Sequence, residues 1–231
     1  MIAIGEDIAP TALDAAAKVH VAGVRPQDAA ALLLIDRSHG YSQVLVGRRG
    51  SGHVFMPDVY VFPGGRRDPR DHALPFASDL HPLVLDKLLA DAPAGTNAAR
   101  ARALALAALR ELAEETGIGF STGRADLAKL RYVARARAIT PPGHIRRYDT
   151  RFFLAFADET ALDLAALQDS AELQDLQWLD MRVVSGLKLP RITQTVLEDV
   201  KTLLISDPSL PFGTPVSCYS MRHGRFVRSR L

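Results

Sequence analysis

The sequence predicts an α/β fold, one domain over residues 1–231 in which a sheet is covered by helices on both faces. Three observations carry that prediction: short β-compatible runs on either side of a central segment, a strong helix pattern within that segment, and further helical patterning after the last run. Composition agrees. The 231 residues are 48% hydrophobic and 23% charged, enough to bury a sizeable core.

Ala29 to Ile35 and Gln43 to Val46 read as strands joined by Asp36-Arg37-Ser38-His39-Gly40, a polar hairpin connection. Val59 to Phe62 is a third strand running into Pro63-Gly64-Gly65. From Arg66 to Asn97 the chain is rich in Pro, Asp and His, and it reads as an insertion with a short helix at Pro82 to Ala90. Asn97 then caps a helix that runs to about Thr116, and Gly117 stops it. Leu130 to Ile139 and Tyr148 to Ala157 form a sheet pair, the second alternating Tyr148, Thr150, Phe152, Leu154 and Phe156 on one face. Leu176 to Leu179 is a last strand, followed by a helical C-terminal segment from about residue 181, with helices at Met181 to Leu187 and Thr193 to Ile205.

Charge and cysteine content exclude several classes. Lys and Arg total 28 against 26 Asp and Glu, a formal charge of +2, so bulk electrostatics do not make nucleic acid the leading partner. Cys218 is the single cysteine, which excludes an internal disulfide or a Cys-x-x-Cys site. The longest apolar runs, Ala29 to Ile35 and Ala103 to Leu109, are far below the ~20 residues of a membrane span. No secretory pattern opens the chain, so a cytoplasmic location is expected. The terminal Ser229-Arg230-Leu231 resembles a peroxisomal address, which would apply only in a eukaryote.

The chemistry concentrates in Arg110-Glu111-Leu112-Ala113-Glu114-Glu115-Thr116-Gly117-Ile118. Spacings of three and four place Glu111, Glu114 and Glu115 on neighbouring parts of one helix face. They also sit at the negative end of the helix dipole, where each carboxylate costs roughly 0.3 to 1 kcal/mol. Crowded acids in that position are expected to hold a divalent cation. Oxygen donors without a Cys or His cluster suit Mg²⁺ or Mn²⁺, and such a metal points to phosphate chemistry.

This segment resembles the Nudix hydrolases, whose signature runs Gly, five residues, Glu, seven residues, Arg-Glu-aliphatic-x-Glu-Glu-x-Gly-aliphatic. Arg110 through Ile118 match every fixed position of the second half, and Phe62-Pro63-Gly64-Gly65 match the strand and turn that open it. The likeness covers roughly Ala29 to Asp180 and implies an α/β/α sandwich with a mixed sheet. It further implies that Glu111, Glu114 and Glu115 ligate metal, that Gly65 contributes to the metal site, that Gly64 and Gly65 lie against the phosphates, and that Arg110 braces the carboxylates. The first half departs from the signature. Between Gly65 and Arg110 lie 44 residues where the family has thirteen, so about 31 are inserted. Counting back from Arg110, the place of the upstream Glu is held by Arg102.

The long insertion, with Thr140-Pro141 and Arg147 to Phe153, resembles the branch that includes peroxisomal coenzyme A diphosphatases, which implies CoA or acyl-CoA as substrate. ADP-ribose, dinucleotides and nucleotide sugars are the alternatives, and a non-catalytic nucleotide-binding module or an RNA-processing relative are readings from other classes. Glu172 occupies the place of a catalytic base on a late loop, with Glu159 and Asp169 as alternatives. Arg48 and Arg66 are the expected phosphate binders. His144 is read as surface, Asp149 and Arg151 as a cross-strand pair, and Trp178 as core. The expected partner is a small-molecule diphosphate, and the insertion either shapes the pocket or supplies a homodimer contact.

Overall fold

The computed structural model describes residues 26–50, 57–90, 97–137, 147–183, 186–222 and 225–231. In chain order the elements are β1 (Gln27–Asp36), β2 (Gln43–Arg49), β3 (Tyr60–Val61), β4 (Gly64–Arg66), β5 (Phe76–Ser78), α1 (Pro82–Ala90), α2 (Ala98–Thr116) and β6 (Ala125–Asp126). They continue with β7 (Arg131–Arg137), β8 (Tyr148–Phe156), β9 (Leu173–Asp180), α3 (Arg191–Ser206), β10 (Ser217–Arg222) and β11 (Arg225–Arg230).

The sheet is mixed. β1 and β8 run parallel from Gln27 opposite Tyr148 to Ile35 opposite Phe156, and β7 lies antiparallel on the far side of β8. β10 joins β7 in parallel and β11 closes that edge. On its other side β1 meets β4 and then β2, so two different strands share one edge. β2 also pairs with β3 and β9. Gly40, at φ 78, makes the β1–β2 turn with a backbone geometry that glycine adopts without strain.

β1 shows why the chain folds into three layers. Its residues Leu32 and Leu34 point to one side and pack with Leu104, Ala108 and Leu112 of α2. Leu33 and Ile35 point to the other and pack with Val196, Leu197 and Val200 of α3. A period-two strand that is apolar on both faces needs a helix on each. The result is the α/β/α sandwich expected. No described helix is long and apolar enough to cross a membrane.

Four departures from the sequence expectations concern elements. The stretch 66–97 holds β5 and a 3₁₀ helix, Pro69–Ala73, as well as the expected α1. β5 pairs with β6 in a small separate sheet. Residues 181–183 form a turn rather than the start of a helix. The C-terminal segment is not helical throughout: after α3 it turns into β10 and β11, which extend the main sheet. Tyr219 explains that last difference, since it is fully buried on the α3 side of the sheet and its hydroxyl meets Asp199 of α3.

Candidate active site

α2 carries the site, and its ends are set by local chemistry. The Asn97 side chain accepts a hydrogen bond from the Arg100 amide at 3.0 Å, capping the first turn. Gly117 ends the helix at φ 75, donating its N–H to the Ala113 carbonyl at 3.0 Å. Between them the face built on Ala101, Ala105, Ala108 and Leu112 is buried, and the last turn is thereby pressed against β4.

Glu115 is 8% exposed and accepts a hydrogen bond from the Gly64 amide at 2.8 Å. Burial pushes its carboxyl up to about 8; the Gly64 hydrogen bond opposes this and the Glu111 charge adds to it. Glu111 is likewise raised by burial, against the pull of Arg110. A side chain on Gly65 would overlap the Glu111 carboxylate, and one on Gly64 would come within 2.5 Å of the Ala30 carbonyl oxygen and the Ala31 Cα. Both glycines are therefore required by close approach: one lets the carboxylate onto the backbone, the other lets β4 pair with β1.

Glu114 behaves differently. Its side chain is 59% exposed and accepts a hydrogen bond from Arg110 at 2.7 Å, one helical turn back. Consequently no three His, Cys, Asp or Glu side chains converge at metal-binding distance among the described residues. The expected crowding of three carboxylates is realised for Glu111 and Glu115, while Glu114 is drawn outward by its i,i+4 partner.

Arg110 is the hub. It donates through Nε to Asp71 at 2.7 Å, through one terminal nitrogen to Glu114, and through the other to the Arg66 carbonyl at 3.0 Å and to Glu111 at 2.9 Å. Burial alone would lower its pKa, yet the hydrogen bonds to Asp71 and the charge of Glu111 hold it well above the ordinary value. Asp71 is completely buried. It sits in the 3₁₀ helix Pro69–Ala73, where its carboxylate also accepts from the Asp68 amide at 2.7 Å and the Asp68 side chain caps the same turn.

Sequence reasoning missed Asp71. Arg102, which stands at the upstream Glu position counted back from Arg110, instead pairs with Asp79 at 2.7 Å away from the carboxylates. Of the two expected phosphate binders, Arg66 is exposed immediately after Gly65, whereas Arg48 is engaged with Asp58 at 3.0 Å. Its neighbour Arg49 is the arginine within electrostatic reach of Glu115 and Glu172. Glu172 is exposed beside β2, its carbonyl accepting from the Gly50 amide at 3.2 Å, and its charge reaches both Glu111 and Glu115. Of the alternatives, Glu159 is engaged with Arg131 and Arg37, and Asp169 caps the amides of Asp175 and Leu176. Trp178 packs against the α2-side core. His144 and Thr140-Pro141 lie outside the described residues.

Residues 86–199 match the family profile of the NUDIX domain. The chain carries a Nudix domain. Its enzyme class is that of the Nudix hydrolases. A Nudix hydrolase from Alicyclobacillus acidocaldarius is similar in structure, with a TM-score of 0.59 and 27% identity over 84% of this chain and 98% of the other. A MutT/nudix family protein from Enterococcus faecalis shares the fold at a TM-score of 0.51 and 14% identity, over 83% of this chain and 66% of the other. No curated protein matches.

The Nudix signature also accounts for Asp71. Counted forward, Gly65 followed by five residues arrives at Asp71, so an aspartate stands where the signature has its first Glu. Thirty-eight residues then separate Asp71 from Arg110 where the signature has seven. Counting from the glycine rather than from the arginine was the signal available in the sequence.

Proposed function

We propose that this Nudix chain hydrolyses the diphosphate bond of a nucleoside diphosphate linked to a second moiety, and that CoA or acyl-CoA is the substrate. One observation carries the reading: two carboxylates, the buried Glu115 and the partly buried Glu111, meet the Gly64–Gly65 backbone while Arg110, clamped by Asp71, fixes the helix end that bears them. The donors fit a hard divalent cation. They are carboxylate oxygens whose pKa values are raised by burial, so a cation would relieve a charge that the protein alone leaves costly.

Glu111, Glu115 and the Gly65 backbone would hold Mg²⁺ or Mn²⁺, with Glu114 able to join by releasing Arg110. A metal bound there neutralises charge on the diphosphate oxygens and acidifies an attacking water. Gly64 and Gly65 present a bare backbone against which the diphosphate lies. Arg66, exposed after Gly65, and Arg49, beside Glu115, supply guanidiniums to the phosphate oxygens. Glu172 is the carboxylate that accepts the water proton. Asp71 touches no reacting atom; it holds Arg110 and so positions Glu111.

Purified protein incubated with Mg²⁺ or Mn²⁺ and CoA, acetyl-CoA, NADH and ADP-ribose tests this. Release of adenosine 3′,5′-bisphosphate from CoA, abolished in Glu115→Gln, is the expected result. Preferred cleavage of ADP-ribose would keep the chemistry and reject CoA, and an uncut panel would reject the hydrolase.

A further inference from the structure

We infer that the arginines gathered around Asp28 and Asp149 form a second anion subsite, which binds a phosphate monoester carried by the same substrate molecule as the diphosphate. The inference rests on the diphosphate reading above and narrows its substrate class to one with a phosphorylated ribose.

Charge imbalance is the first observation. Asp28 receives Arg100 at 2.7 Å, Arg67 at 3.2 Å and Arg151 at 3.3 Å. Asp149 receives Arg135 at 2.6 Å, the same Arg151 at 3.2 Å, and Arg137 at 3.9 Å. Among the described residues these contacts join five guanidiniums to two carboxylates. Both carboxylates are deeply set, with side-chain exposures of 8% and 7%. Burial alone would raise Asp149, yet hydrogen bonding from Arg135 and the surrounding positive charge hold it below the usual carboxylate range. Both acids are thus committed to guanidiniums that outnumber them, and the excess positive charge at the open members favours an anion there.

Access is the second. Arg135 and Arg151 are closed off, but Arg67, Arg100 and Arg137 keep 20%, 39% and 57% of their side-chain surface open. The surplus therefore faces solvent on a preorganised base, with Asp28 holding the Arg67 and Arg100 guanidiniums by hydrogen bonds.

Placement is the third. Arg67 lies two residues beyond Gly65 and its amide donates to the Asp28 carbonyl at 3.0 Å, continuing the line of β4. Two extended residues span about 7 Å, the order of a pentose ring with a phosphate on each side. Arg100 and Glu111 lie three turns apart on one face of α2, so the arginines and the carboxylates open toward the same side. A ribose carrying one phosphate in the diphosphate and another on a second hydroxyl would bridge the two.

Calorimetry with adenosine 3′,5′-bisphosphate and adenosine 5′-monophosphate reads the subsite without turnover. The expected result is a tenfold or greater preference of the wild type for the bisphosphate, reduced toward parity in Arg100→Gln and, at a more exposed position that leaves both aspartates paired, in Arg137→Gln. The ratio of kcat/KM for CoA to that for dephospho-CoA should fall by the same factor. Equal affinity for both nucleotides, or a preference untouched by both variants, overturns the subsite while leaving the hydrolase reading intact. A variant-sensitive preference without turnover of either substrate supports the subsite and overturns the hydrolase.

Discussion

Arg110 spends its donors on four different acceptors, and Asp71 is the one that is fully buried. Removing it leaves a half-buried guanidinium without its main counter-charge, a change that costs about 3 kcal/mol when such a pair is broken. Asp71→Ala should therefore lower both the urea midpoint and kcat, the latter by about tenfold or more, because Arg110 then drags Glu111. Asp71→Asn, which keeps a hydrogen-bonding oxygen, should recover part of the stability and less of the rate. Gly65→Ala is expected to separate the two readouts in the opposite sense: its methyl overlaps Glu111, so metal-dependent activity should collapse while the unfolding midpoint moves little. Glu115 gives the pH dependence. With its carboxyl near 8 in the folded chain and near the ordinary 4.5 unfolded, the native metal-free protein keeps a proton that the unfolded chain loses. Stability in EDTA is then greatest below about pH 4.5 as far as this group is concerned and falls as pH rises to about 8, losing on the order of 3 kcal/mol between pH 5.5 and 8.0. Urea titrations at pH 5.5 and 8.0 should show that loss, and Glu115→Gln should remove most of it. Mg²⁺ affinity should rise over the same window, since metal and proton compete for the same oxygens.

At the scale of elements, α2 was the most legible part of the chain. Asn97, the Ala/Leu/Arg/Glu run and Gly117 each act locally, so sequence spacing alone locates the helix. Its caps are open to test. Asn97→Ala should cost about 1 kcal/mol. Gly117→Ala should cost more, since it combines a left-handed backbone with a methyl that overlaps the Ala166 carbonyl; thermal melts of both variants check the order. The elements that escaped notice are held by partners far away in sequence. β5 is three residues long and forms only against β6. β10 and β11 read Ser-Cys-Tyr-Ser-Met-Arg and Arg-Phe-Val-Arg-Ser-Arg, polar enough to hide their alternation, and they become strands because β7 offers a free edge. The expectation for Arg48 misses its neighbour Arg49 for a related reason: composition cannot say which member of an Arg pair faces the carboxylates, and only the β2–β9 pairing, bulged between Val46 and Arg48, decides it.

Across the whole molecule, the site draws on four distant stretches: the β4 turn, the 3₁₀ helix at Pro69–Ala73, the end of α2 and the loop before β9. Their common support is the sheet, so a change on the far side should lower stability without altering the chemistry. Leu197→Ala, at a fully buried position of α3, should cost about 2 to 5 kcal/mol with kcat unchanged below the melting temperature. The position of Asp71 has a further consequence for how this chain can vary. Asp71 keeps the signature distance to Gly65, and Arg110 keeps its distances to Glu111 and Glu115, so the site consists of two rigid cassettes joined by 38 residues. Closing that connection instead of one of seven costs only about 1.5 kcal/mol, because loop entropy grows with the logarithm of length. A lineage could lengthen or shorten the stretch ahead of α2 at little entropic cost, testing new walls around an unchanged catalytic centre, as long as α1 and α2 kept their buried faces and one buried carboxylate at its threshold continued to latch the two cassettes together.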